Sequence, residues 1–403
     1  MMKRRDIDAE PLGMVTKSQE KTRSINEKSQ ASFDLPALPI QRRQWLLNEI
    51  RSGDPAYHMH MALEIFGPLD ITRLEQSLRL LTAEQEVLRA RFSVSPGGPI
   101  QTIVSDITSD TVLKIAPIVV KDEEKALAEA ARRPFDLTST PLFRLHIWRQ
   151  APNRHLYLLV MHHIVGDLTS LELFSRRLFE LYAGDDRAVP LGQASAAPPF
   201  SAVVRQVNAR SESGLAEGRR FWSDYLSGAP ALLPLSCDHP RPPRWSGVGR
   251  MLRQALPMGL SEQVRWFGRK EGLTAYVILL TAFKLMLSRY ARTADILVGT
   301  PISLRSEAAL AEVIGPLVET CVIRTNVDGD LTFRAMAHRV RERVADALSH
   351  CYVPFDIVVS DLGANGFSDH HPIFQILFGY HEVGRPPTVD GLTMRTLDAP
   401  TFT

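Results

Sequence analysis

Residues 155–184, HLYLLVMHHIVGDLTSLELFSRRLFELYAG, change character part-way along. His155 to Val165 is a nearly continuous apolar run rich in strand formers, and reads as a strand that ends just past the histidine pair. From Leu168 the pattern is that of an amphipathic helix, closed by Gly184. His162, His163 and Asp167 sit at the junction. Successive strand side chains point to opposite faces, so only one of the two histidines can face a cleft. The other packs inside or bonds to backbone. Asp167 falls where the chain turns into the helix, where its carboxylate can cap the helix, pair with an arginine or hold the loop in shape. A neutral imidazole is the side chain best suited to accept a proton near neutral pH, which makes His163 a candidate base for a reaction in which an amine or hydroxyl loses a proton. A strand histidine is equally an ordinary core residue, and the HHxxxD string alone does not separate the two readings.

Working outward, HMHMALEIFG (58–67) reads as a strand, and Ile71, Leu74, Leu78 and Leu81 share one face of a helix that Asp70 can cap. PIQTIV and DTVLKIAPIVV are strand-like, and EEKALAEAARRPF is helical. LFRLHIWRQ and HLYLLVMHHIV form a strand pair joined by the polar turn APNR. GDDRAVPLGQASAAPPF (184–200) has the composition of a linker. Beyond it, LAEGRRFWSDYLSG, TAYVILLTAFKLMLSRYA and LTFRAMAHRVRERVADALSHC are helical; DILVGTPIS, CVIRTNV and PIFQILFGYHE read as strands. The halves on either side of the linker look alike in element order. Three divisions follow: a polar leader over 1–34, disordered or a docking segment, a lobe over 35–190, and a second lobe over 191–403. The fold class is α/β, with two similar lobes meeting along a cleft.

The bulk numbers exclude several classes. With 44% hydrophobic and 23% charged residues and a net charge of +2, neither nucleic acid nor an anionic membrane is expected as a partner. Cys237, Cys321 and Cys351 are far apart and lack CxxC spacing, which argues against a disulfide framework and a zinc site and suits a reducing cytoplasm. No metal is expected: adjacent histidines face opposite ways, His58 and His60 in HMH share a face but lack a third ligand, and SDHHP (368–372) suits a turn. MMKRRDIDAEPLG lacks the apolar core of a secretory signal. The longest apolar run, LTAYVILLTAFKLML, is broken by Lys284 and falls short of the ~18 residues that span a bilayer. A cytoplasmic, soluble protein is the expectation.

Seven strings occur in order between residues 38 and 378: LPIQRRQWLL, EQEVLRARF, MHHIVGD, CDHPRP, VIGPLVETCVIR, CYVPFD and HPIFQILF. Together they resemble, one by one, the core motifs of a condensation domain of a nonribosomal peptide synthetase. The resemblance covers nearly all of the chain beyond the leader. It implies a V-shaped pseudo-dimer of two chloramphenicol-acetyltransferase-like lobes with an active-site tunnel between them. It further implies that an acyl donor arrives as a thioester on the phosphopantetheine arm of an upstream carrier protein, and that an acceptor amine arrives on a downstream one. No cofactor would be bound by the domain itself, and a monomer is expected. His163 would orient or deprotonate the amine, with His162 beside it, and Asp167 would be structural, salt-bridged to an arginine. Arg89 in EVLRARF and Arg305 in VGTPISLR are the candidates for that arginine, and the sequence does not choose between them.

The chain departs from the motif pattern in places. Leu168 stands where the family has Gly after the Asp; a positive φ there would strain it, and Gly166 could supply flexibility instead. Similar condensation domains follow polyketide synthase modules, so Leu168 and the charged leader favour a polyketide-derived donor. Glu84 and Gln85 replace an Arg-His pair, and Glu319 replaces an Asn, which alters the tunnel's polarity if the side chain faces in. Gly166, Leu168, Gly315 and Glu319 are accordingly the expected tunnel residues. The family also continues past GLTMRTLDAPTFT through further second-lobe elements, so a shortened lobe with an unpaired sheet edge is expected. Two other readings stay open: a freestanding acyltransferase acting on a soluble amine or alcohol, and a non-catalytic module that recruits an enzyme to a synthetase.

Overall fold

The computed structural model describes residues 32–107, 113–116, 122–184, 197–239, 249–305, 307–363, 371, 373–382 and 384–397. The leader expectation, apart from residues 32–34, and most of the linker expectation lie outside the described residues, as does most of SDHHP. The strands are β1 (Phe33–Pro36), β2 (His58–Phe66), β3 (Ala90–Ser95), β4 (Gly98–Ile103), β5 (Leu113–Ala116), β6 (Phe143–Ala151), β7 (Arg154–His162), β8 (Asp295–Ser303), β9 (Val318–Asn326) and β10 (Thr393–Leu397). The helices are α1 (Pro39–Ile50), α2 (Ile71–Glu84), α3 (Glu123–Arg132), α4 (Leu168–Ala183), α5 (Phe200–Ser213), α6 (Leu215–Leu226), α7 (Met258–Glu271), α8 (Ala275–Ala291), α9 (Phe333–Ser349) and α10 (Phe355–Asp361).

The apolar run that opens the reading is β7, the middle of a five-stranded sheet in the order β10-β2-β7-β6-β5. Its residues from His155 to His162 are all buried, which explains why the run is continuous rather than alternating: both faces are covered. α2 and α4 lie side by side against the sheet. As the spacing predicts, α2 buries Leu74, Leu78 and Leu81, and the Asp70 carboxylate accepts the Arg73 amide at 3.1 Å. Glu84, which stands in place of the motif arginine, accepts two hydrogen bonds from Arg177 of α4 at 3.0 and 2.8 Å and ties the two helices together. A smaller sheet, β1-β4-β3, completes the first half.

In the second half, antiparallel β8 and β9 pack against α8 and α9. Lys284, which interrupts the apolar run of α8, is fully buried, and its ammonium donates to the carbonyls of Ile296 and Ile323 at 2.9 and 2.6 Å. Among the described residues there are two hydrophobic cores, one around β7 and one around β8 and β9. The chain does not keep to one core per half. Leu310, Val313, Ile314 and Leu317, which lie between β8 and β9, pack into the first core, and β10 pairs with β2 along Thr393–Leu397. Each of those four buried side chains contributes about 1.5–3 kcal/mol to the joint.

Two expectations are corrected. PIFQILFGYHE is not a regular strand: among the described residues its ladder pairing with β8 is a single parallel bridge at Gly299 and Leu377. Gly299 N–H donates to the Ile376 carbonyl and its own carbonyl accepts from Phe378 N–H. The next donor in such a ladder would be residue 301, a proline without an N–H. The Thr300 hydroxyl instead satisfies the Phe378 carbonyl at 2.8 Å. The argument against a disulfide also fails, because Cys321 and Cys351 are disulfide-bonded with Cα atoms 6.1 Å apart. α9 runs back along β9 and closes the 30-residue separation that looks wide in sequence. Among the described residues no single helix is long and apolar enough to cross a membrane.

Candidate active site

β7 ends at His162, and a 3-10 turn, His163–Val165, carries the chain to Gly166 and then into α4. The strand stops between the two histidines rather than just past the pair, so the turn, and not strand alternation, separates them. His162 points inward, 2% exposed, with its ring among those of Tyr57, His58 and Phe135. Its Nδ1 accepts the Ile164 amide at 3.1 Å. Burial, with smaller contributions from His58 and His163, pushes its pKa down to about 3, so it is neutral at any ordinary pH.

His163 lines a cavity of about 770 Å³ together with Arg43, Gln44, Tyr57, Leu168, Glu319 and other residues of both halves. Its Nδ1 lies 2.8 Å from the Gly166 carbonyl. A carbonyl only accepts, so Nδ1 carries the proton and Nε2 is left as the basic nitrogen. Burial lowers the His163 pKa, with Asp167 and the backbone hydrogen bonds acting in the opposite direction; the unbound ring is therefore neutral and able to accept a proton. α1 braces the turn from behind: the Gln41 amide donates to the Ile164 carbonyl at 3.0 Å and accepts the Leu38 amide at 2.8 Å.

Asp167 caps α4, accepting the Ser170 amide at 2.9 Å and the Ser170 hydroxyl at 2.8 Å. Arg305 is its arginine. The guanidinium meets the carboxylate at 2.6 and 3.0 Å, both side chains are almost wholly buried, and the Leu317 amide adds a bond at 3.1 Å. With five donors on two oxygens, the carboxylate has no free lone pair with which to act as a base. It instead fastens the histidine turn to the segment after β8. Arg89 serves elsewhere, donating to the carbonyls of Thr82, Val104 and Ser105.

The expected tunnel residues divide evenly. Leu168 and Glu319 line the cavity; Gly166 and Gly315 do not. Gly166 is extended, φ −167°, so flexibility is not its role; a Cβ there would meet Met161 Sδ at 2.2 Å. Gly315 N–H donates to the Ser170 hydroxyl and its carbonyl accepts from Arg305, and a Cβ would meet the Phe200 ring at 2.5 Å. Leu168 is the first residue of α4 and carries no strain, since Arg292 is the one non-glycine residue at positive φ among those described. Glu319 faces in. Its Oε1 accepts from Arg43 at 3.3 Å and from the Thr320 amide at 2.8 Å, and burial raises its pKa against the pull of Arg43.

Sequence reasoning missed Arg43, Gln44, Tyr57 and His371 as cavity residues. The first two lie in the quoted string LPIQRRQWLL, but which face of α1 meets the cavity is settled only by packing. His371 does serve a turn, accepting the amides of Ile373 and Phe374 at 3.3 Å, yet it also lines the cavity.

Comparison with known proteins agrees with this geometry. The family model described as Condensation domain matches residues 32–390. The chain is 30% identical over 359 residues to tyrocidine synthase 3 of Brevibacillus parabrevis, covering 89% of this chain and 5% of the synthase. It is 30% identical over 354 residues to a phosphinothricin tripeptide synthetase of Streptomyces viridochromogenes, covering 85% of this chain and 32% of that protein. The chain thus spans a small part of the length of these relatives. Among solved structures, the X-domain in complex with OxyB from teicoplanin biosynthesis is similar with a TM-score of 0.79 and 25% identity, over 91% of this chain and 81% of that one. The first condensation domain of the CDA synthetase gives 0.74 and 22%, over 92% and 88%. These likenesses support the expected α/β fold of two acyltransferase-like halves. Since the matching region contains both cores, the histidine turn and the Asp167–Arg305 joint, the chain belongs to the condensation domain family.

Proposed function

We propose that this chain forms an amide bond between a carrier-bound acyl, peptidyl or polyketidyl thioester and the amine of an acceptor aminoacyl group. The observation that carries the reading is the 2.8 Å contact of His163 Nδ1 with the Gly166 carbonyl, which leaves Nε2 as the basic nitrogen of a residue that lines a cavity of about 770 Å³. The acceptor nitrogen attacks the thioester carbonyl, and its proton passes to His163 Nε2. The tetrahedral intermediate then collapses, breaking the C–S bond, and the departing sulfur takes up the proton. Asp167 is a positioning residue that acts through the turn, and His162 packs behind it. The substrates are delivered by phosphopantetheine arms of upstream and downstream carrier proteins, in the cytoplasm, to a monomer of two lobes divided near residue 190.

The test is single-turnover transfer from an acyl-loaded upstream carrier to an aminoacyl-loaded downstream carrier, with the amide followed by mass spectrometry. His163→Ala should slow product formation by about 10²-fold or more, the lower end of what a positioned base supplies. Unchanged product formation in that variant would remove His163 from the chemistry. No product from the wild type, despite measurable carrier binding, would overturn the reading altogether.

A further inference from the structure

The cavity wall holds more polar groups than the proton transfer uses. Ile40, Arg43, Gln44 and Leu47 of α1 line it, and their spacing of i, i+3, i+4 and i+7 makes one helical face. Gln44 is 2% exposed, and its Oε1 is buried without a hydrogen-bond partner. Buried polar atoms are nearly always paired, so this oxygen is an exception that asks for a donor. Glu319 presents a second one. Both of its hydrogen bonds fall on Oε1, and Oε2 accepts none among the described residues. Arg43 already supplies the countercharge to Glu319 and also donates to the Thr320 hydroxyl at 3.4 Å. The wall therefore offers two unengaged acceptors beside a balanced ion pair, which suits a neutral donor better than a further cation. Glu319 also lines a second cavity of about 310 Å³, together with Ile40 and Ser303, so its carboxylate stands where the two spaces share a wall.

We infer that Gln44 and Glu319 form a specificity site for a substrate carrying an aliphatic hydroxyl, whose single O–H donates chiefly to the orphaned Gln44 oxygen, with Glu319 Oε2 as the alternative acceptor. The inference rests on the proposed function for assigning the cavity to acyl transfer. The hydroxyl has two possible sources, the side chain of an acceptor aminoacyl group or the 3-position of an acyl donor. A pocket that hydrogen-bonds a hydroxyl discriminates strongly against the isostere lacking it, because the pocket's own polar atoms are then left unpaired.

Binding can be measured without turnover, using hydrolysis-resistant aminopantetheine amides in two isosteric pairs: threonyl against valyl, and 3-hydroxybutanoyl against 3-methylbutanoyl. Calorimetry with the full chain should show the hydroxyl member of one pair binding about 10–100-fold tighter, the pair identifying the source. Gln44→Met keeps the side-chain length and removes the orphaned oxygen. It should erase most of that preference and raise the Tm, whereas Glu319→Leu should weaken the preference. Equal affinities within both pairs, or no binding of any analogue, overturn the inference, as does a Gln44→Met protein that keeps the preference. A lower Tm in Gln44→Met with loss of all four analogues would mark Gln44 as structural and also overturn it. Selective binding without single-turnover product would sink the proposed reaction and leave this site standing.

Discussion

Asp167 and Arg305 show what a buried pair does when each partner is fully engaged. The arginine also donates to the Val313 and Gly315 carbonyls, so it holds the carboxylate and the Val313–Leu317 backbone at once. Asp167→Ala would leave a guanidinium buried without its countercharge, and should cost about 3–5 kcal/mol in urea unfolding. Asp167→Asn keeps the shape and part of the hydrogen bonding and should cost less. A loss under about 1 kcal/mol for Asp167→Ala would mean that solvent reaches Arg305 and that the joint is weak. The pairing itself was half legible. An aspartate before an amphipathic helix reads as a cap from sequence, and the Ser170 amide confirms it. Arg89 and Arg305 are equivalent as letters; only the fold turns one toward backbone carbonyls and the other toward Asp167.

Among the elements, those whose residues carry a clear period were readable. β7 announced itself by a continuous apolar run, and α2 by Leu74, Leu78 and Leu81 after an Asp cap. The segment after His371 was misread because its apolar density matches a strand while its would-be partner carries Pro301. Gly299 lies at the centre of that bridge with the Phe374 ring over it, and a Cβ there would meet ring carbons at 2.3 and 2.4 Å. Gly299→Ala should therefore destabilise by about 1–3 kcal/mol through overpacking, despite the usual advantage of Ala over Gly in a strand. Chemical denaturation checks this, and a variant as stable as the wild type would show that Phe374 moves freely. α1 was the least legible element with a role in the site: its polar residues Gln41, Arg43 and Gln44 look like a solvated face until the cavity and Gln101 are placed around them.

For the whole molecule, several buried basic groups shift the pH dependence of stability in one direction. Burial holds His162 at a pKa of about 3, and burial followed by Arg43 holds His371 at about 4; His58 and His163 are also lowered, chiefly by burial. Between those values and the unfolded pKa of about 6.5, the unfolded chain binds more protons than the native one. Stability should therefore be lost as pH falls below about 6.5, by roughly 1.4 kcal/mol per pH unit for each such histidine. Lys284, lowered to about 7 by burial, continues the trend upward: the unfolded chain holds its proton to about 10.4, so stability should rise from pH 7 toward 10. Thermal unfolding across pH 5–9 checks both arms. A Lys284→Met protein should lose the alkaline slope and keep the acid one. A Tm that falls from pH 7 to pH 9 in the wild type would contradict the Lys284 assignment.

The crossing of the chain between its two cores also sets an order of events during synthesis. The first core needs Leu310 to Leu317, and the free edge of β2 is covered only when Thr393–Leu397 arrives. At about 5–20 residues per second, a ribosome takes roughly 10–40 s to travel from the end of α4 to β10. Throughout that interval the nascent first half holds an open strand edge, and until Leu310–Leu317 emerge it also holds an unfilled apolar seam. It is therefore a client for chaperones rather than a finished unit, and cutting it free near residue 190 would make that transient exposure permanent.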